Sequence, residues 1–322
     1  MSQRTPISQV TQLHITELHS FAAHARGRHR LRLAVRQLSD GSLLTMPAAV
    51  LSDGTDRPRM VLVAGQHGNE WNGPWILHHL AGALNPDDVH GTLVLVPIAN
   101  PLAFNEGRRV SVVDSIDLNR TYGGGRPRKP TEHLGALLWE GLFSRTDYLI
   151  DLHSGGPGEY LPFAATPFGN DLELARVLNL PFIHTPGRTK PEFLVSACQQ
   201  AGVKSVLVEF GGGHSLDWPY HEAVTAGLVN AMRVVGLLAG QPQHAPQPHI
   251  FAHKYIVSAP APGFFAPAVK LGQHVPTGDR LGTITPILAE AETEIVSPRE
   301  GIVLYLRREL LVGEQDSLVH IA

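Results

Sequence analysis

The chain has a single cysteine, Cys198, among its 322 residues, and this excludes an internal disulfide. It has no apolar run long enough to span a bilayer, and residues 1–6 lack the apolar core of a secretory signal. The net charge of −3 leaves no excess of basic residues for binding a nucleic acid. We therefore expect a cytoplasmic protein that binds neither a membrane nor a nucleic acid, with Cys198 as a buried structural thiol.

Between residues 59 and 238, strand-like and helix-like runs alternate along the chain. The strand-like runs are rich in β-branched and other apolar residues and lie at 60–64, 92–98, 148–152, 181–184 and 205–210. The helical patterns lie at 74–84, 132–143, 171–178, 192–201 and 220–238. Such alternation predicts an α/β fold with a mixed sheet flanked by helices. Before it, residues 30–50 predict a β-hairpin that turns at Ser39-Asp-Gly41.

The character of the sequence changes after residue 238. Residues 239–248 are rich in Pro and Gln, a composition typical of a linker. From Ile250 onward, Gly and Pro separate short β-type runs, and no helical period is present. These features predict two domains: an α/β domain over residues 1–240 that includes the hairpin, and a small all-β domain over residues 250–322.

A histidine and a glutamate follow the first of these strands. The apolar run Val61-Leu-Val-Ala64 ends at Gly65, and His67 and Glu70 come before the next helical pattern. One interpretation is a hydrogen-bonded histidine and an acidic residue near the positive end of a helix. The other is a metal site, because zinc in enzymes is commonly held by two histidines and one carboxylate. With eighteen histidines in the chain, this pair alone is a weak signal.

Two further strands end in the same way. Tyr148-Leu-Ile-Asp-Leu152 is followed by His153 and glycines, and Ser205-Val-Leu-Val208 is followed by Glu209 and glycines. Parallel strands deliver their carboxyl ends to one edge of a sheet, so we expect His153 to meet His67 and Glu70 there. Asp151 is either a partner that orients an imidazole or a solvated strand-end carboxylate. Glu209 is either a general base or a carboxylate satisfied by backbone amides of the glycine turn.

A group of arginines and asparagines follows the strand predicted at 92–98. Asn100-Pro-Leu-Ala-Phe-Asn-Glu-Gly-Arg-Arg109 and Asp117-Leu-Asn-Arg120 place guanidinium and amide groups over the same edge of the sheet. Guanidinium groups bind carboxylates or a developing oxyanion by paired hydrogen bonds. The alternative is a surface loop whose arginines are solvated or neutralised by Asp114 and Asp117.

Taken together, these segments resemble a known family. His67-Gly-Asn-Glu70, Asn100-Pro-Leu-Ala-Phe104, Asp117-Leu-Asn-Arg120, Asp151-Leu-His153 and Val208-Glu-Phe-Gly-Gly212 are similar to motifs of the succinylglutamate desuccinylase/aspartoacylase family. These enzymes are relatives of the zinc carboxypeptidases. The resemblance extends from about Arg30 to the C-terminus, with the motifs in the expected order, and it implies a zinc-carboxypeptidase-like sheet.

The resemblance also implies an activity and a set of site residues. The activity is zinc-dependent hydrolysis of the amide bond in a small N-acylated amino acid. By motif matching, one zinc ion per chain is bound by His67, Glu70 and His153, and Glu209 is the general base. Arg109 polarises the scissile carbonyl. The substrate carboxylate is bound by the side chains of Asn119 and Arg120, and Arg108 is a weaker candidate for this role.

One departure from the family bears on the substrate. Aspartoacylase has an additional carboxylate-binding arginine shortly before the catalytic glutamate, and Cys198-Gln-Gln-Ala-Gly202 contains none. This disfavours a dicarboxylic substrate such as acetylaspartate. The pattern, including Gly263-Phe-Phe-Ala-Pro267, is closer to bacterial deacylases of this family, some of which act on acetylated diaminobutyrate. The alternatives are a metallocarboxypeptidase acting on short peptides and a non-catalytic zinc-containing binding protein.

The C-terminal segment resembles the two halves of a biotinyl/lipoyl-type barrel, at 271–284 and 295–303. A carrier domain of that type needs a lysine on the hairpin between the halves, and no lysine follows Lys270. The segment is therefore predicted to be structural and to pack beside the mouth of the active site. The sequence leaves open whether the chain forms a homo-oligomer.

Overall fold

The computed structural model describes residues 10–216, 218–243, 246–288 and 291–322. Residues 1–6, in which a secretory signal was not expected, lie outside the described residues, as do positions 244 and 245 of the predicted linker. Within the described ranges, no helix combines the length and the apolar character needed to cross a membrane.

The secondary structure follows the alternation seen in the sequence. The strands are β1 (Thr11–His14), β2 (Arg26–Gln37), β3 (Leu43–Asp53), β4 (Arg59–Ala64), β5 (Thr92–Val96), β6 (Tyr148–His153), β7 (Gly158–Ala165), β8 (Phe182–His184), β9 (Lys204–Gly212), β10 (His249–Phe251), β11 (Tyr255–Ser258), β12 (Gly263–Pro267), β13 (His274–Val275), β14 (Arg280–Thr285), β15 (Thr293–Val296), β16 (Gly301–Arg307), β17 (Leu311–Val312) and β18 (Ser317–Ile321). The α-helices are α1 (Leu18–His24), α2 (Asn72–Ala83), α3 (Pro101–Asn105), α4 (Pro130–Gly141), α5 (Leu172–Val177), α6 (Leu194–Gln200) and α7 (Trp218–Val234). Short 3-10 helices lie at Ile15–Glu17, Pro86–Asp88, Leu118–Arg120, Phe143–Arg145 and Pro167–Gly169.

A large mixed sheet organises the molecule. Its main path of strands is β1-β2-β3-β5-β4-β6-β9-β7-β16-β18-β11, with β8 paired to β7, β10 to β8 and β13 to β16. The four central strands, β5, β4, β6 and β9, are parallel to one another. Because they are parallel, their carboxyl ends lie at one edge, which is where ligands bind in open α/β sheets.

Two apolar cores cover the two faces of this sheet. In β4, Met60 and Leu62 belong to one core and Val61 and Val63 to the other, as the alternation of side chains along a strand requires. Helices α2, α5 and α7 cover the first face, and α1, α4 and α6 cover the second. Cys198 is fully buried in the second core, which confirms its prediction as a structural thiol.

The predicted fold class is confirmed as a mixed sheet flanked by helices with a C-terminal all-β part. The hairpin is longer than the predicted 30–50, since its strands β2 and β3 span Arg26–Gln37 and Leu43–Asp53. Strand β7 was not predicted, because Pro162 interrupts its apolar pattern. The structure accommodates that proline where the pairing of β7 with β9 is irregular, between Tyr160 and Phe163.

The C-terminal strands form a second, four-stranded antiparallel sheet and also extend the main one. The second sheet has the order β15-β14-β12-β17. Strand β16 pairs with β7 of the α/β part, so that Tyr305 lies opposite Tyr160. A junction cluster of buried apolar and aromatic residues lies at this join, comprising Tyr160, Phe163, Phe251, Leu304 and Tyr305. The main sheet thus runs through both predicted domains, and their boundaries stay a prediction.

Candidate metal centre and active site

The turn after β4 depends on two glycines. Gly65 has a φ of +65°, in the left-handed region that L side chains rarely adopt, and this lets the chain turn directly after the strand. Gly68 packs against the start of α3, where a Cβ atom would overlap the backbone carbonyl of Ala103. The short helix α3 is itself held by Asn100, whose side-chain oxygen accepts a hydrogen bond from Ala103 N at 3.2 Å. The glycines therefore let the turn that carries His67 and Glu70 pack closely on α3.

The side chains of His67, Glu70 and His153 meet at the carboxyl edge of β4 and β6. All three are buried, and their potential ligand atoms lie within 4.8 Å of one another. The Nδ1 atoms of His67 and His153 lie 2.8 and 2.9 Å from the two carboxylate oxygens of Glu70. These Nδ1 atoms are 3.2 Å apart. Both imidazoles thus turn the same ring nitrogen towards one centre.

The other ring nitrogen of each imidazole contacts an aspartate. His153 Nε2 lies 2.9 Å from Asp151 Oδ2, and His67 Nε2 lies 3.0 Å from Asp117 Oδ1. An Nε2–H that donates to a carboxylate leaves the Nδ1 lone pair free to bind a metal. The prediction that Asp151 orients an imidazole is confirmed. The sequence does not predict the contact of Asp117 with His67, because the nearby arginines indicate only a counter-charge role for Asp117.

The charges of the three side chains shift one another's pKa values. Burial opposes ionisation of each, but it is outweighed: the charge of Glu70 raises the pKa of His67, and Asp151 and Glu70 raise the pKa of His153 well above its usual value. The two histidines hold the pKa of Glu70 well below its usual range. A metal ion that binds here therefore displaces protons from the imidazoles.

The chemistry of this group fits a zinc ion. Two imidazoles and one carboxylate are the donor set of many catalytic zinc sites, which leave a further position for water or substrate. The buried aspartate behind His153 is the type of outer partner that such sites use. Across the described part of the chain, no other group of three potential ligands lies this close together.

Glu209 lies next to this group on the adjacent strand. It is the register partner of His153 in the parallel pair β6–β9. Its Oε2 atom is buried and has no hydrogen-bond partner among the described residues, so backbone amides of the glycine turn do not satisfy it. Burial and the charge of Glu70 raise the pKa of Glu209 to about 7. Strand β9 continues to Gly212, two residues beyond the strand end predicted at 210.

Two of the predicted arginines contact Asp117. Arg109 is half-exposed and lies 3.0 Å from Asp117 Oδ2 and 3.5 Å from Glu70 Oε1. Arg120 lies 3.7 Å from Asp117 Oδ2, and its guanidinium stacks 3.9 Å from the ring centroid of Phe193. Asp117 thus partly neutralises both arginines. This agrees with the alternative interpretation of the sequence, in which Asp114 and Asp117 neutralise the arginines of a surface loop. Arg108 is exposed, with its backbone N–H bonded to Ala103 O at 3.2 Å.

Asn119 is buried and has structural partners. Its side-chain oxygen accepts a hydrogen bond from Leu194 N at 2.8 Å, at the first residue of α6. Its amide nitrogen lies 3.4 Å from His153 Nε2. The structure therefore brings Asn119 to the site, while its contact with a substrate carboxylate stays a prediction.

Lys254 is a further charged residue near Glu209 that sequence reasoning missed. It lies between β10 and β11, and its Nζ is 3.5 Å from the hydroxyl of Tyr160. Its ammonium also lies over the rings of Tyr160 and Phe163. The residues around Lys254 in the sequence form no motif, so no local signal marks it.

The fold is that of a family of deacylases. Residues 56–235 match the family model of the succinylglutamate desuccinylase/aspartoacylase catalytic domain, which is more than half of the chain. The chain belongs to this family.

Individual relatives match over most of the chain. It is 29% identical to the N-alpha-acetyl-L-2,4-diaminobutyric acid deacetylase of Halomonas elongata, over 86% of this chain and 85% of that protein. The product-bound structure of the ectoine utilization protein EutE (DoeB) from Ruegeria pomeroyi is 25% identical, with a TM-score of 0.83, covering 92% of this chain and 95% of that one. A succinylglutamate desuccinylase/aspartoacylase structure from Rhodobacter sphaeroides, at 23% identity, has a TM-score of 0.81 and covers 92% of this chain and 96% of that one, and it shows the same fold.

Proposed function

We propose that this protein is a zinc-dependent deacylase that hydrolyses the amide bond of a small N-acylated amino acid to a carboxylate and an amine. The observation that carries the proposal is the buried His67–Glu70–His153 group beside the unpartnered carboxyl oxygen of Glu209, among the described residues. A metal-binding protein without a reaction has no use for a base at this position, and this disfavours the non-catalytic alternative. Membership of the family supports the same activity.

In this proposal, the side chains of His67, Glu70 and His153 hold one zinc ion. When bound, zinc supplies Lewis acidity that polarises a carbonyl and lowers the pKa of water. Asp151 and Asp117 keep the two imidazoles in the tautomer that presents Nδ1.

Glu209 moves the proton. Its carboxylate accepts a proton from the attacking water as the water oxygen bonds to the amide carbon, and it returns that proton to the nitrogen as the C–N bond breaks. Burial raises the pKa of Glu209 above its ordinary value, and this favours acceptance of that proton by the carboxylate.

The arginines bind the negative charges of the reaction. Arg109, which lies beside Glu70, donates to the carbonyl oxygen as that oxygen becomes negative. Arg120 and Asn119 bind the carboxylate of the amino acid, and Arg108 is a weaker candidate at the exposed side of the same loop. Asp117 holds Arg109 and Arg120 in place between turnovers.

For the substrate, we propose N-α-acetyl-2,4-diaminobutyrate. The deacetylase of Halomonas elongata is named for this compound and matches most of the chain. The segment Cys198-Gln-Gln-Ala-Gly202, which carries no arginine, also favours an amino acid without a second carboxylate.

A hydrolysis screen with zinc-loaded protein tests the proposal. The panel contains N-α-acetyl-2,4-diaminobutyrate, N-acetylaspartate, N-succinylglutamate, N-formyl amino acids and short peptides, with Glu209→Gln as the matched control. We expect the first compound to be turned over best, and Glu209→Gln to bind zinc normally while losing about a hundred- to ten-thousand-fold in turnover. Near-normal activity of Glu209→Gln contradicts the assignment of the base, and preferential cleavage of peptides selects the carboxypeptidase.

A further inference from the structure

Lys254 sits at the join between the α/β part and the C-terminal strands. Its ammonium is 3.5 Å from Tyr160 Oη, and it lies 5.3 and 5.6 Å from the ring centroids of Tyr160 and Phe163. These two aromatic residues belong to β7 and to the junction cluster. The ammonium is therefore held over an aromatic surface by one hydroxyl and two cation–π contacts.

The pairing of β7 with β9 brings the aromatic surface under this ammonium beside Glu209, and the ammonium acts on Glu209 through its charge without a hydrogen bond to Oε2. Phe163 is the register partner of Glu209, and Tyr160 is the register partner of Gly211. Burial lowers the pKa of Lys254, and the charge of Glu209 opposes that effect. Three titratable groups face Lys254: Tyr160 from β7, His184 from β8 and His320 from β18. Burial keeps them uncharged at neutral pH, because it raises the pKa of the tyrosine and lowers the pKa of each histidine. Tyr305 from β16 packs on Tyr160, and burial raises its pKa as well.

Glu209 gains from a positive charge additional to the imidazoles of His153 and His67. One of its carboxylate oxygens is buried without a hydrogen-bond partner among the described residues, and the neighbouring carboxylate of Glu70 repels it. A buried carboxylate oxygen that no hydrogen bond satisfies is costly, and the group is free to take several orientations. The Lys254 ammonium, held over residues of the adjacent strand β7, lowers the cost of burying the carboxylate and restricts its orientation.

We propose that Lys254 is a positioning residue for Glu209: its ammonium, held by Tyr160, orients and stabilises the Glu209 carboxylate. This inference rests on the proposed function for the role of Glu209. It gives the C-terminal part of the chain a direct effect on the reaction, because Lys254 follows β10 rather than any strand of the metal site.

A double-mutant cycle on stability tests the pairing without any substrate. Lys254→Met removes the charge and keeps the length of the side chain, and it is measured at pH 8 in the zinc-loaded native protein and in Glu209→Gln. We expect the substitution to lower the melting temperature in the native background and to change it little in Glu209→Gln. An equal decrease in both backgrounds means that Lys254 only packs on the aromatic residues, and it overturns the proposal.

Turnover gives an independent measurement. We expect Lys254→Met to lower kcat by about tenfold or more with KM nearly unchanged, because the carboxylate is disordered while substrate contacts remain. Lys254→Arg retains the charge and is expected to restore most of kcat, and Lys270→Met, at an exposed position, serves as the control. An effect on KM alone, or Lys254→Arg as impaired as Lys254→Met, contradicts the proposal. If no substrate is hydrolysed at all, the proposed function fails, and the stability cycle still decides the pairing of Lys254 with Glu209.

Discussion

In the candidate metal centre, one carboxylate contacts each imidazole at the ring nitrogen that points away from the centre. Asp151 is fully buried and contacts both His153 Nε2 at 2.9 Å and Gln66 Nε2 at 2.7 Å. The side-chain oxygen of Gln66 in turn accepts a hydrogen bond from the hydroxyl of Tyr122 at 2.9 Å. The orientation of His153 is therefore determined by a chain of buried hydrogen bonds, and such outer partners affect metal affinity strongly.

Asp151→Asn is predicted to weaken zinc binding by about 10- to 100-fold, because asparagine keeps the size of the side chain but loses the charge that fixes the imidazole. The measurement is competition with a fluorescent zinc chelator. The exposed Asp88 provides the control, Asp88→Asn. An unchanged zinc affinity in folded Asp151→Asn removes Asp151 from the support of the site.

The two arginines are predicted to affect different kinetic parameters. Arg109→Lys is expected to lower kcat by about a hundredfold with little change in KM, because lysine does not reproduce the planar fork that meets an oxyanion. Arg120→Ala is expected to raise KM by about tenfold or more through loss of a charge-assisted hydrogen bond to the substrate. Steady-state kinetics with the best substrate of the screen check both, with Arg299→Ala as the control. The reverse pattern means that the two roles are exchanged.

At the scale of elements, the site depends on turns that require glycine. The turn from β4 to α2 carries His67 and Glu70, and it approaches α3 so closely that only glycine fits at position 68. Because the obstacle at Gly68 is the backbone of Ala103 rather than a flexible side chain, a substitution there has to move a secondary-structure element.

Gly68→Ala is therefore predicted to destabilise the protein by about 1–3 kcal/mol and to weaken zinc binding, since the added methyl group displaces the turn from α3. The matched control is Gly82→Ala in α2, where a Cβ meets no atom within 4 Å. That control is expected to be neutral or stabilising by up to about 1 kcal/mol through its helix propensity. Urea unfolding measures both variants, and equal effects at the two positions contradict the close approach.

The same scale shows where prediction from sequence succeeded. The strands β4, β6 and β9 and the residues that follow them were predicted because each has a short apolar run with glycines a few residues further on. Strand β7 was missed because Pro162 and flanking polar residues give it no such run, and its pairing is irregular at that point. Apolar patterns in the sequence predict a strand well when the strand itself is continuously buried. They predict it poorly when the strand forms mainly because neighbouring strands pair with it.

At the scale of the whole molecule, the C-terminal strands and the α/β part share buried polar groups. His320 of β18 contacts the hydroxyl of Tyr160 of β7 at 2.9 Å, and it stacks on Tyr305. Burial and the charge of Lys254 lower the pKa of His320 to about 2 from an ordinary value of 6.5. The folded protein therefore keeps His320 neutral at pH values where the unfolded chain protonates it.

This pKa predicts a loss of stability in acid. Since the folded pKa of His320 is depressed, its contribution is fully present above pH 6.5 and decreases as the pH falls, by about 1.4 kcal/mol per pH unit. His320→Gln keeps a hydrogen-bonding group but does not titrate. The difference in unfolding free energy between pH 6.5 and pH 5 is thus expected to be about 2 kcal/mol smaller in His320→Gln than in the native chain.

Urea unfolding in the presence of a chelator checks this prediction, because zinc release then makes no contribution. His90→Gln, at an exposed position, is the control and is expected to leave the pH dependence unchanged. An identical pH dependence in His320→Gln and the native chain contradicts the assignment of this histidine.

The sequence by itself determined the α/β class, the all-β C-terminal part and the order of the motifs at the strand ends, because apolar periodicity and glycine positions are local properties. It also identified His67, Glu70, His153 and Glu209 as candidates, since each closely follows or ends such a run. Only the tertiary structure decided which distant charged residues lie beside these candidates. Asp117 reaches His67 from 50 positions away in the chain, and Lys254 reaches β7 from 94 positions beyond Tyr160. Contacts over such separations depend on how the strands are ordered and packed, which no local pattern encodes.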